Sequence, residues 1–205
     1  MLLAFLLRPG DSCIDIGASD GDILRHIVRV APHGQHIAYE PLPSTAARLA
    51  REFPDVRVHA CAVADSPGRA PFYQVIEEPA LSSLRRLPYH HGFQVERIVV
   101  DVVDLDSSLP EGYVPALLKI DAEGAESRIL HGAMQTIRAH RPVLVVEFQR
   151  DSAGPFETDA QEFHDLVTRG AGMRIFDVYG QGPYGFEEFR KVFHARRMVN
   201  FVAHP

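Results

Sequence analysis

Five short apolar runs, separated by stretches with helical periodicity, constrain this chain more than any other feature. CIDIG from Cys13, HIAYE from His36, VRVHA from Val56, ALLKID from Ala116 and VLVVEF from Val143 are almost continuously apolar, as strands buried on both faces must be. Between them lie amphipathic segments. Ile23, Leu24, Ile27 and Val28 form one stripe after Asp20, and Ala125, Ile129, Leu130, Ala133, Met134 and Ile137 form another. This alternation predicts an α/β fold, a parallel sheet with helices on both faces. Ser44 is placed to cap a helix that Pro54 stops, Thr158 with Gln161 makes a capping box, and Gly170 is a C-terminal stop. MRIFDVY from Met173 and MVNFVA from Met198 are joined by a Gly/Pro/Tyr-rich link, too short and irregular for a crossover helix. They predict an antiparallel pair closing the sheet.

Between Arg69 and Leu105 the alternation lapses. PFYQVI predicts an edge strand and VERIVVDVVDL a further strand. Residues 77–92, with Pro79, Pro88, His90 and His91, form the longest irregular segment and predict a mobile loop or lid. No repeat or linker divides the 205 residues, so a single domain over 1–205 is expected. With 46% hydrophobic and 23% charged residues and two cysteines, disorder and a disulfide framework are excluded. Basic residues number 21 and acidic 27, a net charge of −6 that disfavours a general electrostatic grip on nucleic acid or on an anionic membrane. The opening apolar run, residues 1–7, is far short of the roughly 20 residues a membrane span needs and lacks the flanks of a signal peptide. A cytoplasmic protein is expected, with Cys13 and Cys61 packed in the core of a reducing compartment. Oligomeric state is left open by the sequence, and residues 1–7, if exposed, would be a natural homodimer contact.

Asp15, Glu40, Asp121 and Glu147 put a carboxylate at or near the carboxyl end of four strands, the edge where open α/β sheets place ligands. The loop DIGASDG, residues 15–21, connects the first strand to the first helix. It lacks the lysine of a phosphate-binding P-loop. The dinucleotide fingerprint needs glycine where Ser19 stands, and Asp20 and Asp22 would face a pyrophosphate. A nicotinamide-dependent oxidoreductase is therefore disfavoured. A ligand with a cationic head and a ribose fits better, and S-adenosylmethionine has both. Asp15 would receive its methionine end, directly or through water, and Glu40 would accept hydrogen bonds from both ribose hydroxyls.

DIGASDG, YEP from Tyr39, ACAVADSPG from Ala60, LLKIDAEGAESRILHG from Leu117 and VLVVEF follow one another over about residues 11–148. In order and spacing they resemble the successive motifs of the FkbM-type S-adenosylmethionine-dependent methyltransferases. The resemblance implies a class I methyltransferase (Rossmann-like) sheet of seven strands, order 3-2-1-4-5-7-6, the last strand antiparallel. It implies methyl transfer to a hydroxyl of a small molecule, sugar or natural product, with S-adenosylhomocysteine as the other product. It assigns cofactor contacts to Asp15, Gly17, Ala18, Ser19 and Gly21, to Glu40 and Pro41, to Cys61, Ala62 and Val63 beside adenine, and to Asp121. Only about ten residues precede the first motif, so the helices that often close over the cofactor are expected to be missing or supplied otherwise.

A hydroxyl acceptor must lose its proton, which asks for a general base or a metal ion. Asp121 or Glu123 is the expected base, with Glu147 orienting it or the substrate, while Glu126 reads as a helix cap. The same carboxylates could instead hold Mg²⁺ or Ca²⁺. The 11 histidines show no zinc spacing. Ser82, Ser83, His90 and His91 in the irregular segment are candidate substrate contacts, and the paired Arg85 and Arg86 would suit an acidic acceptor. Two other readings stay open: a carboxyl or N-methyltransferase on the same fold, and a cofactor-binding module without activity.

Overall fold

The apolar runs become strands because their alternating side chains face helices on one side of the sheet and on the other. The computed structural model describes residues 2–89, 92–195 and 198–205. Its strands are β1 (Cys13–Ile16), β2 (Ile37–Tyr39), β3 (Arg57–His59), β4 (Ala62–Val63), β5 (Gly68–Val75), β6 (Val95–Val103), β7 (Leu117–Ile120), β8 (Val143–Glu147), β9 (Arg174–Asp177) and β10 (Asn200–His204). Seven form one sheet in the order β3-β2-β1-β7-β8-β10-β9. Numbered among themselves in chain order, the seven stand as 3-2-1-4-5-7-6. β1, β2, β3, β7 and β8 pair in parallel, whereas β10 runs antiparallel to both β8 and β9.

β4, β5 and β6 leave this sheet and form a second one, order β4-β6-β5. β5 and β6 make an antiparallel hairpin running from Gly68 opposite Val102 to Val75 opposite Val95. The PFYQVI and VERIVVDVVDL strands therefore pair with each other rather than extending the main sheet. The irregular 77–92 segment separates the two strands, so the local pattern does not reveal that they pair.

The two faces of the main sheet carry different cores. Ile14, Ile16 and Ile120 pack with Ile129, Ile137 and Phe163, whereas Cys13 and Leu117 pack with Ile27 and Leu7. On the first face Phe148, just past β8, stacks on Phe163 at 4.1 Å and on Phe193 at 5.0 Å between ring centroids. This stack ties the helices Ala160–Asp165 and Phe186–His194 to the sheet. Phe186–His194 lies in the link expected to be too irregular for a helix, and burial of Phe189 and Phe193 stabilises it there. Three other expectations need correction. The helix Pro43–Glu52 starts with Pro43 in its first turn, so Ser44 lies inside it and caps nothing. Asp159, rather than Thr158, caps the next helix, accepting from the N–H of Gln161 and Glu162. The stripe from Ala125 to Ile137 is two helices, Glu126–Gly132 and Met134–His140, broken at Ala133. Gly132 lies so close to the Ala64 carbonyl that a side chain there would overlap it. Among the described residues no helix is long and apolar enough to cross a membrane.

A charged pair interrupts the apolar strands at the centre of the main sheet. Asp15 and Lys119 are register partners on β1 and β7, both buried. Lys119 Nζ lies 3.1 Å from Asp15 Oδ1 and 3.6 Å from Asp121 Oδ2, and donates to the Gly17 carbonyl at 2.7 Å. Burial disfavours its charge, but the two carboxylates outweigh that and raise its pKa above the ordinary lysine value. Removing one partner of a buried pair strands the other charge. Lys119→Met should therefore lower unfolding stability by about 3–5 kcal/mol, read by denaturant titration, and a loss below 1 kcal/mol on that scale would show the pair to be dispensable.

Candidate functional site

The glycine loop is shaped by what surrounds its backbone. β1 ends at Ile16, and Gly17 takes a φ of +75° where any Cβ would overlap the carbonyl oxygen of Asp121. The N–H groups of Gly17 and Ala18 donate to the Tyr39 carbonyl, at 2.9 and 3.2 Å. Arg48, from the helix Pro43–Glu52, donates to the carbonyls of Ser19 and Asp20 and holds the outer side of the loop. Glu40, at the end of β2, accepts from the Ser19 N–H and the Leu42 N–H at 2.9 Å each, one bond on each carboxylate oxygen. Burial is the first cause raising its pKa, opposed by those two N–H groups. A carboxylate offers about four lone-pair sites, so each oxygen of Glu40 keeps one for a ligand.

A cleft of about 240 Å³ opens over this edge. Its floor and one end are the 17–20 loop with Glu40 and Pro41, and Cys61, Ala62 and Val63 form an apolar wall. Pro79, Ala80, Ser82 and Leu84 from the 77–92 segment close it from above. That segment is anchored at its start: Tyr73 and Ser83 exchange backbone hydrogen bonds, and Ser82 Oγ accepts from the Val75 N–H.

At the far end three carboxylates converge. Asp121, Glu123 and Glu147 each present an oxygen within 4.8 Å of the others. Asp121 and Glu123 come from the turn after β7, where Glu123 adopts a left-handed φ of 50°, and Glu147 ends β8. Burial first, then the charges of Asp121 and Glu147, push Glu123 up to about 8. Burial, then Asp121, pushes Glu147 up to about 7. Gln149 donates to Glu147 at 3.0 Å, and Ser83 Oγ donates to the Glu123 carbonyl at 2.7 Å.

The site residues expected from sequence thus separate. Gly17, Ala18, Ser19, Glu40, Pro41, Cys61, Ala62, Val63, Asp121, Glu123 and Glu147 line one cleft. Asp15 does not: it is wholly buried against Lys119, so its carboxylate supports the loop from beneath instead of meeting a ligand's methionine end. Gly21 turns toward Leu49 and Phe53, away from the cleft. Ser83 reaches the cleft only through its bond to Glu123, whereas Ser82 lines it. His90 and His91 lie outside the described residues. Glu126 accepts from the N–H groups of Ala122 and Gly124 and stays behind the turn, a cap as its position suggested. Lys119 is the residue the motifs passed over. Its one signal was a lone lysine in an otherwise apolar strand whose register partner is an aspartate.

The sequence profile of the methyltransferase FkbM domain matches residues 15–175. A search of curated proteins finds no match. Among solved structures, the methyltransferase FkbM from Methylobacillus flagellatus KT aligns with a TM-score of 0.62 at 18% identity, over 97% of this chain and 44% of that one. The chain therefore spans less than half of that protein. A TehB-like SAM-dependent methyltransferase from Corynebacterium glutamicum aligns at 0.53 and 12% identity over 98% and 83%. A precorrin-6y C5,15-methyltransferase from Geobacter metallireducens GS-15 aligns at 0.50 and 11% over 85% and 70%. At such identities the likeness is one of fold, the Rossmann-like α/β sheet with flanking helices.

The acid trio also sets a pH dependence of stability. Glu123 and Glu147 bind protons more tightly folded than unfolded, since their native values of about 8 and 7 exceed the ordinary 4.5. Their contribution is full below the unfolded value and is lost as pH rises through 7 to 8. The Tm should fall between pH 5 and 9, read by calorimetry, and Glu123→Gln should shrink that fall; an unchanged slope would mean that Glu123 titrates normally.

Proposed function

Since the chain belongs to the FkbM methyltransferase family, we propose that it moves the methyl group of S-adenosylmethionine to a hydroxyl oxygen of a small-molecule acceptor. The convergence of Asp121, Glu123 and Glu147 at one end of the cleft, with Glu123 held near 8, carries this reading. S-adenosylmethionine, when bound, supplies an electrophilic methyl group whose bond to the sulfonium breaks as the new bond to oxygen forms. Glu40, with one free lone-pair site on each oxygen, and the apolar wall of Ala62 and Val63 suit the ribose and base of that cofactor. Asp20 and Asp22 beside the loop disfavour a phosphate in its place.

Glu123 is the base. An alcohol gives up its proton poorly, and a carboxylate with a pKa near 8 takes one far better than an ordinary glutamate. Asp121 and Glu147 maintain that affinity by their charge, and Lys119 restrains Asp121. Glu147, fixed by Gln149, orients the hydroxyl. An amine or carboxylate acceptor would need no such base, and a binding module would gain nothing from three clustered acids that cost stability. The spacing of the trio favours one second reading, a divalent cation polarising the hydroxyl in place of the base.

With a hydroxylated acceptor, kcat/KM should rise with pH through about 7 to 8 as Glu123 loses its proton. Glu123→Gln should abolish that limb and lower turnover by about a hundredfold or more, with S-adenosylhomocysteine affinity unchanged by calorimetry. Wild-type turnover in that variant would remove Glu123 from the mechanism. Turnover should survive EDTA; a loss that Mg²⁺ restores would assign the trio to a cation.

A further inference from the structure

A second cavity, of about 470 Å³, adjoins the first on the same edge of the sheet. Ile23, Lys119, Asp121 and Glu147 line both, so Asp121 and Glu147 stand at the partition between them, with Glu123 on the side of the first. One wall is the sheet, where Val145 lies two residues from Glu147 on β8 and therefore on its face. The opposite wall is the helix Asp22–Val30, and Leu3 and Val178 also line the space. The helix turns Leu24 and Ile27 into the core but leaves Ile23 40% exposed, looking into this space. Away from Asp121 and Glu147 the lining is chiefly apolar, with His26 and Asn200 as polar members and Arg29 six residues and about 9 Å along the helix from Ile23. Arg29 makes no ion pair among the described residues.

We infer that this second cavity holds the methyl acceptor, and that the acceptor is an amphiphilic alcohol. Its hydroxyl sits at the acid partition, its apolar body fills the space between Val145 and the helix, and an anionic group at its far end meets Arg29. The inference rests on the methyltransferase reading of the first cleft and adds the acceptor's chemical class. A bare sugar would leave the walls of Val145, Val178 and Val30 unmatched, and burying apolar area there supplies binding that a polar body cannot. The opposed ends also fix orientation: a carboxylate or sulfonate is repelled by Asp121 and Glu147 and drawn to Arg29, which leaves the hydroxyl at the partition.

The test uses anilinonaphthalene sulfonate, an apolar fluorescent dye with one anionic group, titrated into the full chain alongside S-adenosylhomocysteine. Both should bind together without competing, and an ω-hydroxyoctanoate should displace the dye where glucose does not. Val178→Trp and Val145→Phe, which fill the cavity, should each weaken the dye about tenfold, with S-adenosylhomocysteine affinity and thermal midpoint near wild type. Arg29→Ala should weaken it severalfold. Val178→Trp lies beyond β9 and keeps the test valid if Val145→Phe misfolds. Dye affinity unmoved by the filling variants, or displacement by glucose as readily as by ω-hydroxyoctanoate, would overturn the inference. Failure of S-adenosylhomocysteine to bind would instead count against the first cleft as the cofactor site, while the dye still judges the second.

Discussion

The ammonium of Lys119 lies where two strands and a loop meet. It donates to the Gly17 carbonyl and is ion-paired with Asp15 and Asp121, so the ends of β1 and β7 and the first residue of the glycine loop share one point of attachment. An ion pair this deep adds little net stability, because both charges must leave water. Its effect is positional. With the Gly17 carbonyl turned inward to Lys119 and the Gly17 and Ala18 N–H groups satisfied by Tyr39, the loop presents Ser19 to Glu40 in one conformation. The cleft is built on that arrangement.

Much of this was legible from residue order, and the parts that were not share a cause. Buried parallel strands announce themselves by apolar runs, and glycine at position 17 announces a close approach of backbone. Which way a strand-end carboxylate points depends on pleat parity relative to a cleft that only the folded chain creates. Asp15 and Glu40 therefore looked alike, although one lies under the loop and the other beside the ligand space. Lys119 was invisible for the same reason, since its meaning comes from a register partner 104 positions away. The helix Phe186–His194 was hidden by its glycine- and proline-rich approach. Only the aromatic stack against Phe148 and Phe163 reveals what stabilises it.

The acid trio breaks a local rule of charge separation. Three carboxylates within a few ångströms, one on a residue in the left-handed region, cost the fold energy that ordinary packing has to offset. Neighbouring residues outside the trio support the arrangement: Glu126 closes the turn that carries Asp121 and Glu123, and Gln149 steadies Glu147. The cluster would relax if its members were free to separate. Because strand ends and a capped turn hold them, the repulsion appears as raised proton affinity.

The hydrogen bond from Ser83 to the Glu123 carbonyl joins the roof of the cleft to the backbone of one of these acids. Proton affinity at that site depends on ångström-scale distances to Asp121 and Glu147, so loop position and protonation are thermodynamically linked. A ligand that lifts or seats the 79–84 segment draws on the turn carrying Glu123. By reciprocity, a proton leaving Glu123 alters how tightly that segment sits, and segment position and ionisation become two readings of one coupled equilibrium.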